Sequence, residues 1–185
     1  MPDYDLVRRL ATAMSAMRET HDRHGEQVAT LARDLALAAG LEESKVSLIE
    51  VGAHLHDIGK IMVRREILNA PRKLSPEETA EMRLHAMLGW ALVEQAGFDP
   101  VICEIVRYHH ECYDGNGYPD RLQGENIPLA ARIVAICDSY EALTNPRTYR
   151  SAFSASFAQT FMQSGKSRAF DPHLVDLFFL KVIKA

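Results

Sequence analysis

The sequence predicts an all-α bundle of about seven or eight helices. Three observations predict it. Apolar residues recur at spacings of three and four, as one buried helical stripe requires. No stretch of useful length alternates apolar and polar positions as a half-buried strand does. Proline and glycine stand where helices would begin and end. At 185 residues and 47% apolar composition, the chain suits one domain with its own core, preceded by an N-terminal helix or extension over residues 1–19.

In chain order, residues 4–17 read as a helix with Leu6, Leu10, Met14 and Met17 on one face. A polar stretch with His21 and His24 follows, then a helix through Val28, Leu31 and Leu35 that Gly40 stops. The next runs from near Glu42 to Asp57, with Leu48, Val51, Leu55 and Ile58 as its stripe. Residues 60–74 read as a loop with Pro71 as breaker. Ser75-Pro76-Glu77-Glu78 is a capping box that opens a long helix through Gln95, stopped by Gly97. Asp99-Pro100 starts a helix that reaches His109 and His110, and residues 111–126 form a glycine-rich loop. Residues 127–143 are apolar nearly all round, which marks a buried helix. Asp171-Pro172 begins the last helix, with Val175, Phe178, Phe179 and Val182 facing inward.

Composition removes several function classes. A net charge of −4 argues against binding duplex nucleic acid, where affinity comes from neutralising phosphates. No apolar run is long enough for a membrane span. Cys103, Cys112 and Cys137 are odd in number and scattered, so neither a disulfide framework nor a zinc spacing is implied. A reducing, cytoplasmic setting is the expectation.

The chemistry concentrates around Val51 to Lys60. His56 and Asp57 border a stripe that buries Leu55 and Ile58, and an unpaired buried carboxylate costs several kcal/mol. A divalent cation is one partner; a hydrogen-bonded His-Asp pair at a helix end is the ordinary alternative. Adjacent helical side chains diverge by roughly 100°, so Asp57 can reach a second metal while His56 holds the first. His85 sits among apolar neighbours, with Gly89 one turn on to admit a close approach. His109 and His110 close a helix, where histidines also suit the dipole; as neighbours they diverge, so each could serve a different metal. Asp138 lies on the most apolar helix, with no basic residue near it in sequence, and a cation would supply that charge. The intervals from Asp57 to His85, His85 to His109 and His110 to Asp138 are 28, 24 and 28 residues, each about one helix and a loop. Four helices would converge on one point. Four histidines and two aspartates suit iron, manganese, nickel or zinc better than magnesium or calcium. His54 points to the opposite side of its helix from His56 and reads as structural, as do Trp90, Tyr140 and Cys137.

In this order the residues resemble the HD-GYP branch of the HD superfamily of metal-dependent phosphohydrolases. The resemblance is carried by His56-Asp57-Ile58-Gly59-Lys60, His85 with Gly89, His109-His110-Glu111, and Asp114 through Pro119. It continues through Asp138 with Glu141-Ala142-Leu143-Thr144, Arg147-Thr148-Tyr149-Arg150 and Phe170-Asp171-Pro172. It makes residues 20–185 the HD-GYP domain. It implies a phosphodiesterase that hydrolyses cyclic di-GMP to pGpG, and on to GMP in some members, through a hydroxide bridging two metals. Iron or manganese is implied first, then nickel or zinc. The metal ligands by motif are His56, Asp57, His85, His109, His110 and Asp138. Asp57 and Lys60 match the catalytic positions, with Lys60 meeting the phosphate or the hydroxide. Lys60, Arg147 and Arg150 match positions that hold the substrate. Gly117, Tyr118 and Pro119 match the signature loop, linked in the family to docking diguanylate cyclase (GGDEF) domains; a homodimer is compatible.

The chain departs from the family in places. Thr20 stands where trinuclear members carry a glutamate one turn before the residue matching His24. Two metals are therefore expected, with His24 in a supporting or third-site place. Glu141 replaces a usual aspartate, and Ala70-Pro71-Arg72 a usual Lys-Pro-Gly; neither is expected to touch a ligand. Two other readings stay open: an HD-type hydrolase of another nucleotide or cyclic dinucleotide, and a non-catalytic module that senses cyclic di-GMP or docks a cyclase.

Overall fold

The structure, a computed structural model, describes residues 23–146 and 151–183. Among these are eight α-helices of six residues or more, one single helical turn, and no strand beyond an isolated bridge between Lys166 and Phe170. They are α1 (His24–Ala38), α2 (Glu43–Leu55), the short α3 (Arg65–Leu68), α4 (Pro76–Arg83) and α5 (His85–Gln95). Then come α6 (Pro100–Tyr108), α7 (Leu129–Thr144), α8 (Ala155–Ser164) and α9 (Pro172–Leu177), which runs on into a π-helical turn at Phe178–Val182. The expected helix over residues 4–17, together with Thr20, His21, Arg147 and Arg150, lies outside the described residues.

Local chemistry places the ends. Gly40 and Gly97 take φ of +76° and +75°, which side chains disfavour, just past α1 and α5. Both halves of the capping box form at α4: the Ser75 hydroxyl accepts from the Glu78 N–H, and the Glu78 carboxylate accepts from the Ser75 N–H. Asp99 and Asp171 cap α6 and α9 ahead of their prolines.

Three expectations need correction. Residues 60–74 are not all loop, because a 3-10 turn (Ile58–Met62) and α3 occupy part of them. The helix from Pro76 to Gln95 is interrupted at Leu84, which ends α4 and lets α5 begin on His85. Helix α8 was not anticipated. Its phenylalanines, Phe157 and Phe161, face solvent, and the helix is seated by Ala158 and Met162, so its most visible apolar residues are not its packed face.

The packing fixes α2 from two sides. Its residues Val46, Ile49 and Ala53 join a core with Val28, Leu35, Ile133, Ile136, Val175 and Phe178. On its other side, Val51 and Leu55 join a second core with Val93, Ile102 and Val106. Each such burial contributes on the order of 1.5–3 kcal/mol. The C-terminal end of α2, which carries His56 and Asp57, is therefore held where the two cores meet. One backbone contact brings α5 to it. A Cβ on Gly59 would overlap the His85 carbonyl and the Gly89 backbone, and one on Gly89 would lie 2.9 Å from the Gly59 nitrogen. Glycine at both positions lets the turn after Asp57 lie against the first turn of α5.

Candidate metal centre

Five elements deliver side chains to one buried place. His24 opens α1, His56 and Asp57 follow α2, His85 opens α5, His109 and His110 follow α6, and Asp138 and Glu141 project from α7. His24, His56, Asp57, His85, His109 and Glu141 are all buried.

The Asp57 carboxylate lies at the middle. Its Oδ1 is 3.4 Å from His85 Nε2 and 3.9 Å from His109 Nε2. Its Oδ2 is 3.5 Å from His56 Nε2, 3.9 Å from His24 Nε2 and 2.5 Å from the Lys60 ammonium. Two donor groups result, Asp57 with His85, His109 and His110, and Asp57 with His24 and His56. Asp138 borders the second, its Oδ1 being 3.3 Å from His24 Nε2 and 3.9 Å from His56 Nε2. His109 and His110 fall in one group, not in separate ones as their divergence suggested; their ring centroids are 4.1 Å apart.

The ring orientations are set from behind. His56 Nδ1 is 2.6 Å from the Ala53 carbonyl, His85 Nδ1 is 2.7 Å from that of Met82, and His109 Nδ1 is 3.1 Å from that of Val106. A carbonyl only accepts, so each Nδ1 carries the proton and each Nε2 turns a lone pair to the centre. His24 is oriented differently, by the Glu141 carboxylate 2.5 Å from its Nδ1. Sequence reasoning missed Glu141, because the motif comparison treated it as a change of no consequence and nothing local links residues 117 positions apart. Tyr118 was assigned only to the signature loop; its ring also stacks on His110, at 4.8 Å and 27°.

Electrostatics agree with this arrangement. Burial drives His56, His85 and His109 below the usual imidazole range and His110 down to about 3, so all four are neutral donors near pH 7. Burial also opposes charge on Asp57, yet the Lys60 ammonium beside it holds it well below the usual carboxylate range. His24 is buried too, but hydrogen bonds to Asp138 and Glu141 outweigh that and raise it to about 9. Neutral imidazoles whose lone pairs meet beside ionised carboxylates form a donor set that fits divalent cations.

The remaining side chains take structural places. Trp90 packs on the second core and lies under the Arg107 guanidinium at 4.2 Å. Tyr140 packs edge-on against Phe178 at 5.1 Å. Cys137 is fully buried, and His54 is half-buried on the other side of α2. No helix among the described residues is long and apolar enough to cross a membrane.

Comparison with known proteins bears on this centre. Residues 8–174 match the family model described as HD domain. The chain is 41% identical over 153 residues to the cyclic di-GMP phosphodiesterase response regulator RpfG of Xanthomonas campestris pv. campestris, covering 82% of this chain and 40% of that protein. It is 37% identical over 175 residues to the 3'3'-cGAMP-specific phosphodiesterase 2 of Vibrio cholerae, covering 94% of this chain and 34% of that one. The chain thus spans well under half the length of these relatives. Among solved structures, a cyclic GMP-AMP specific phosphodiesterase of V. cholerae superposes with a TM-score of 0.73 at 16% identity, over 95% of this chain and 47% of that one. An HDG"Y"P protein from Bdellovibrio bacteriovorus gives 0.70 at 21% identity, over 94% and 58%. At those identities the likeness is one of fold.

Proposed function

Because this chain belongs to the HD domain family, we propose that it is a metal-dependent phosphodiesterase that hydrolyses cyclic di-GMP to pGpG. One observation carries the reading: a single buried carboxylate, Asp57, presents Oδ1 to His85 and His109 and Oδ2 to His56 and His24. In this proposal His56, Asp57 and Asp138 hold one divalent cation together with His24, which was expected only in a supporting or third-site place but lies in the same donor group, and Asp57, His85, His109 and His110 hold the other. Iron or manganese suits this mixed nitrogen and oxygen set, with nickel or zinc as further options. Such ions supply an activated water and neutralise charge on the phosphoryl oxygens.

The chain's own residues do the rest. Lys60 keeps Asp57 ionised and has two more N–H donors for a non-bridging phosphate oxygen. The carbonyls of Ala53, Met82 and Val106 hold three imidazoles in the tautomer that can donate. Arg147 and Arg150 are assigned to the substrate phosphates, where a guanidinium fork matches two oxygens. The loop at Gly117, Tyr118 and Pro119 is assigned to docking diguanylate cyclase (GGDEF) domains, and residues 20–185 to the catalytic unit of a cytoplasmic signalling protein that can pair as a homodimer.

The test is an anaerobically prepared sample assayed for metal content and, by chromatography, for products of cyclic di-GMP. Conversion to pGpG that the Asp57→Ala variant lacks is expected. Unimpaired turnover in that variant overturns the assignment, and binding without turnover favours a sensory module. A second reading, hydrolysis of 3'3'-cGAMP, is supported by the 37% identical V. cholerae relative; both dinucleotides belong in the assay.

A further inference from the structure

We propose that Arg83, at the end of α4, is a substrate-binding residue. Its guanidinium, laid over the Tyr118 ring, grips the phosphate of a cyclic dinucleotide that is not being cleaved. The inference rests on the reading above and adds a contact that the motif resemblance does not assign.

Three layers lead outward from the metal centre. His110, in one donor group, stacks on Tyr118 at 4.8 Å, and the Arg83 Cζ lies 5.0 Å from the Tyr118 centroid. The cation therefore stands one aromatic ring away from a candidate ligand. Stacking uses the flat face of a guanidinium and leaves its in-plane N–H donors for another group.

Among the described residues, the Arg83 side chain makes no hydrogen bond or ion pair, and its only described contact is the Tyr118 ring. Arg64 is held by Glu81, Arg72 by Glu78, Arg107 by Asp120 and Arg132 by Asp171. The two acids of α4 nearest to Arg83 in sequence, Glu78 and Glu81, are thus already engaged. An exposed, unneutralised fork fixed beside a phosphoester site fits a phosphate. A cyclic dinucleotide carries two, and only one can be at the metals in a given turnover.

The test compares wild type with Arg83→Ala and Arg83→Lys in the full, metal-loaded chain. Substrates are cyclic di-GMP and bis(p-nitrophenyl) phosphate, which has a single phosphate. A calorimetric titration with the phosphorothioate analogue of cyclic di-GMP gives Kd independently of turnover. Arg83→Ala is expected to raise KM and Kd for the dinucleotide by about tenfold while kcat changes by less than about threefold. Arg83→Lys should recover part of the loss, because it keeps the charge without the fork. The loss on bis(p-nitrophenyl) phosphate should stay under about twofold. An Arg83→Ala variant matching wild type in KM and Kd overturns the inference, as does an equal loss on both substrates. A wild type that cleaves bis(p-nitrophenyl) phosphate but no cyclic dinucleotide overturns the reading beneath it, a result distinct from either.

Discussion

Glu141 Oε2 lies 2.5 Å from Nδ1 of His24, a residue 117 positions earlier in the chain. The contact turns His24 Nε2 toward Asp138, 3.3 Å away, and toward His56 Nε2, also at 3.3 Å. Carboxylates behind metal-binding imidazoles set ring orientation and raise basicity, and losing one costs about tenfold to a hundredfold in affinity. Glu141→Gln preserves shape and removes charge. It is expected to weaken uptake of one of two manganese ions by that amount in a calorimetric titration; two unchanged affinities would contradict the role.

The close approach of two backbones gives a second prediction. Gly59→Ala puts a methyl group against the His85 carbonyl and the Gly89 backbone, neither of which can swing aside as a flexible side chain would. Overpacking of this kind costs about 1–3 kcal/mol, and more where backbone is the obstacle. Urea unfolding should show the loss, with weaker metal retention because His85 and Asp57 are pushed apart. Wild-type stability in the variant would be the contrary result.

His24 makes the ion-free protein sensitive to pH. Burial disfavours its charge, but Asp138 and Glu141 outweigh that and raise it from 6.5 to about 9. A raised basic group stabilises the fold fully below its unfolded value and loses that contribution as pH rises through the folded one. In the presence of chelator, the melting temperature should therefore fall between pH 6.5 and about 9, and His24→Gln should flatten that segment. A parallel fall in the variant would assign the slope to another group.

The α4 cap separates stability from the metal centre. Ser75→Ala removes the hydroxyl that accepts from the Glu78 N–H. Such caps contribute about 1 kcal/mol. Thermal unfolding should register that loss with metal content unchanged. Loss of metal in this variant would mean that α4 supports the centre more directly than its contacts indicate.

Legibility in the sequence followed the range of the forces involved. The amphipathic stripes of α1, α2 and α6, the Ser75 box and the glycine stops are encoded within a few residues, and each is found close to its expected place. The gathering of His56, Asp57, His85, His109, His110 and Asp138 was readable from residue type and interval, because few other roles suit so many buried imidazoles and carboxylates. The break at Leu84 was not, since no proline or glycine marks it and Leu84 itself keeps right-handed helical angles. Helix α8 was missed although Phe157 and Phe161, like Ala158 and Met162, stand four apart as helical neighbours do. The Glu141–His24 pair was hidden for a different reason: only the packing of α1 on α7 brings the two together.

The most direct test is the number of ions held by the protein purified without oxygen, read by elemental analysis beside anomalous scattering from crystals. A carboxylate shared between two donor groups predicts two cations per chain on opposite sides of Asp57, and the loss of both in Asp57→Ala. One cation, or a pair that the variant retains, would contradict the shared carboxylate on which the proposed chemistry rests.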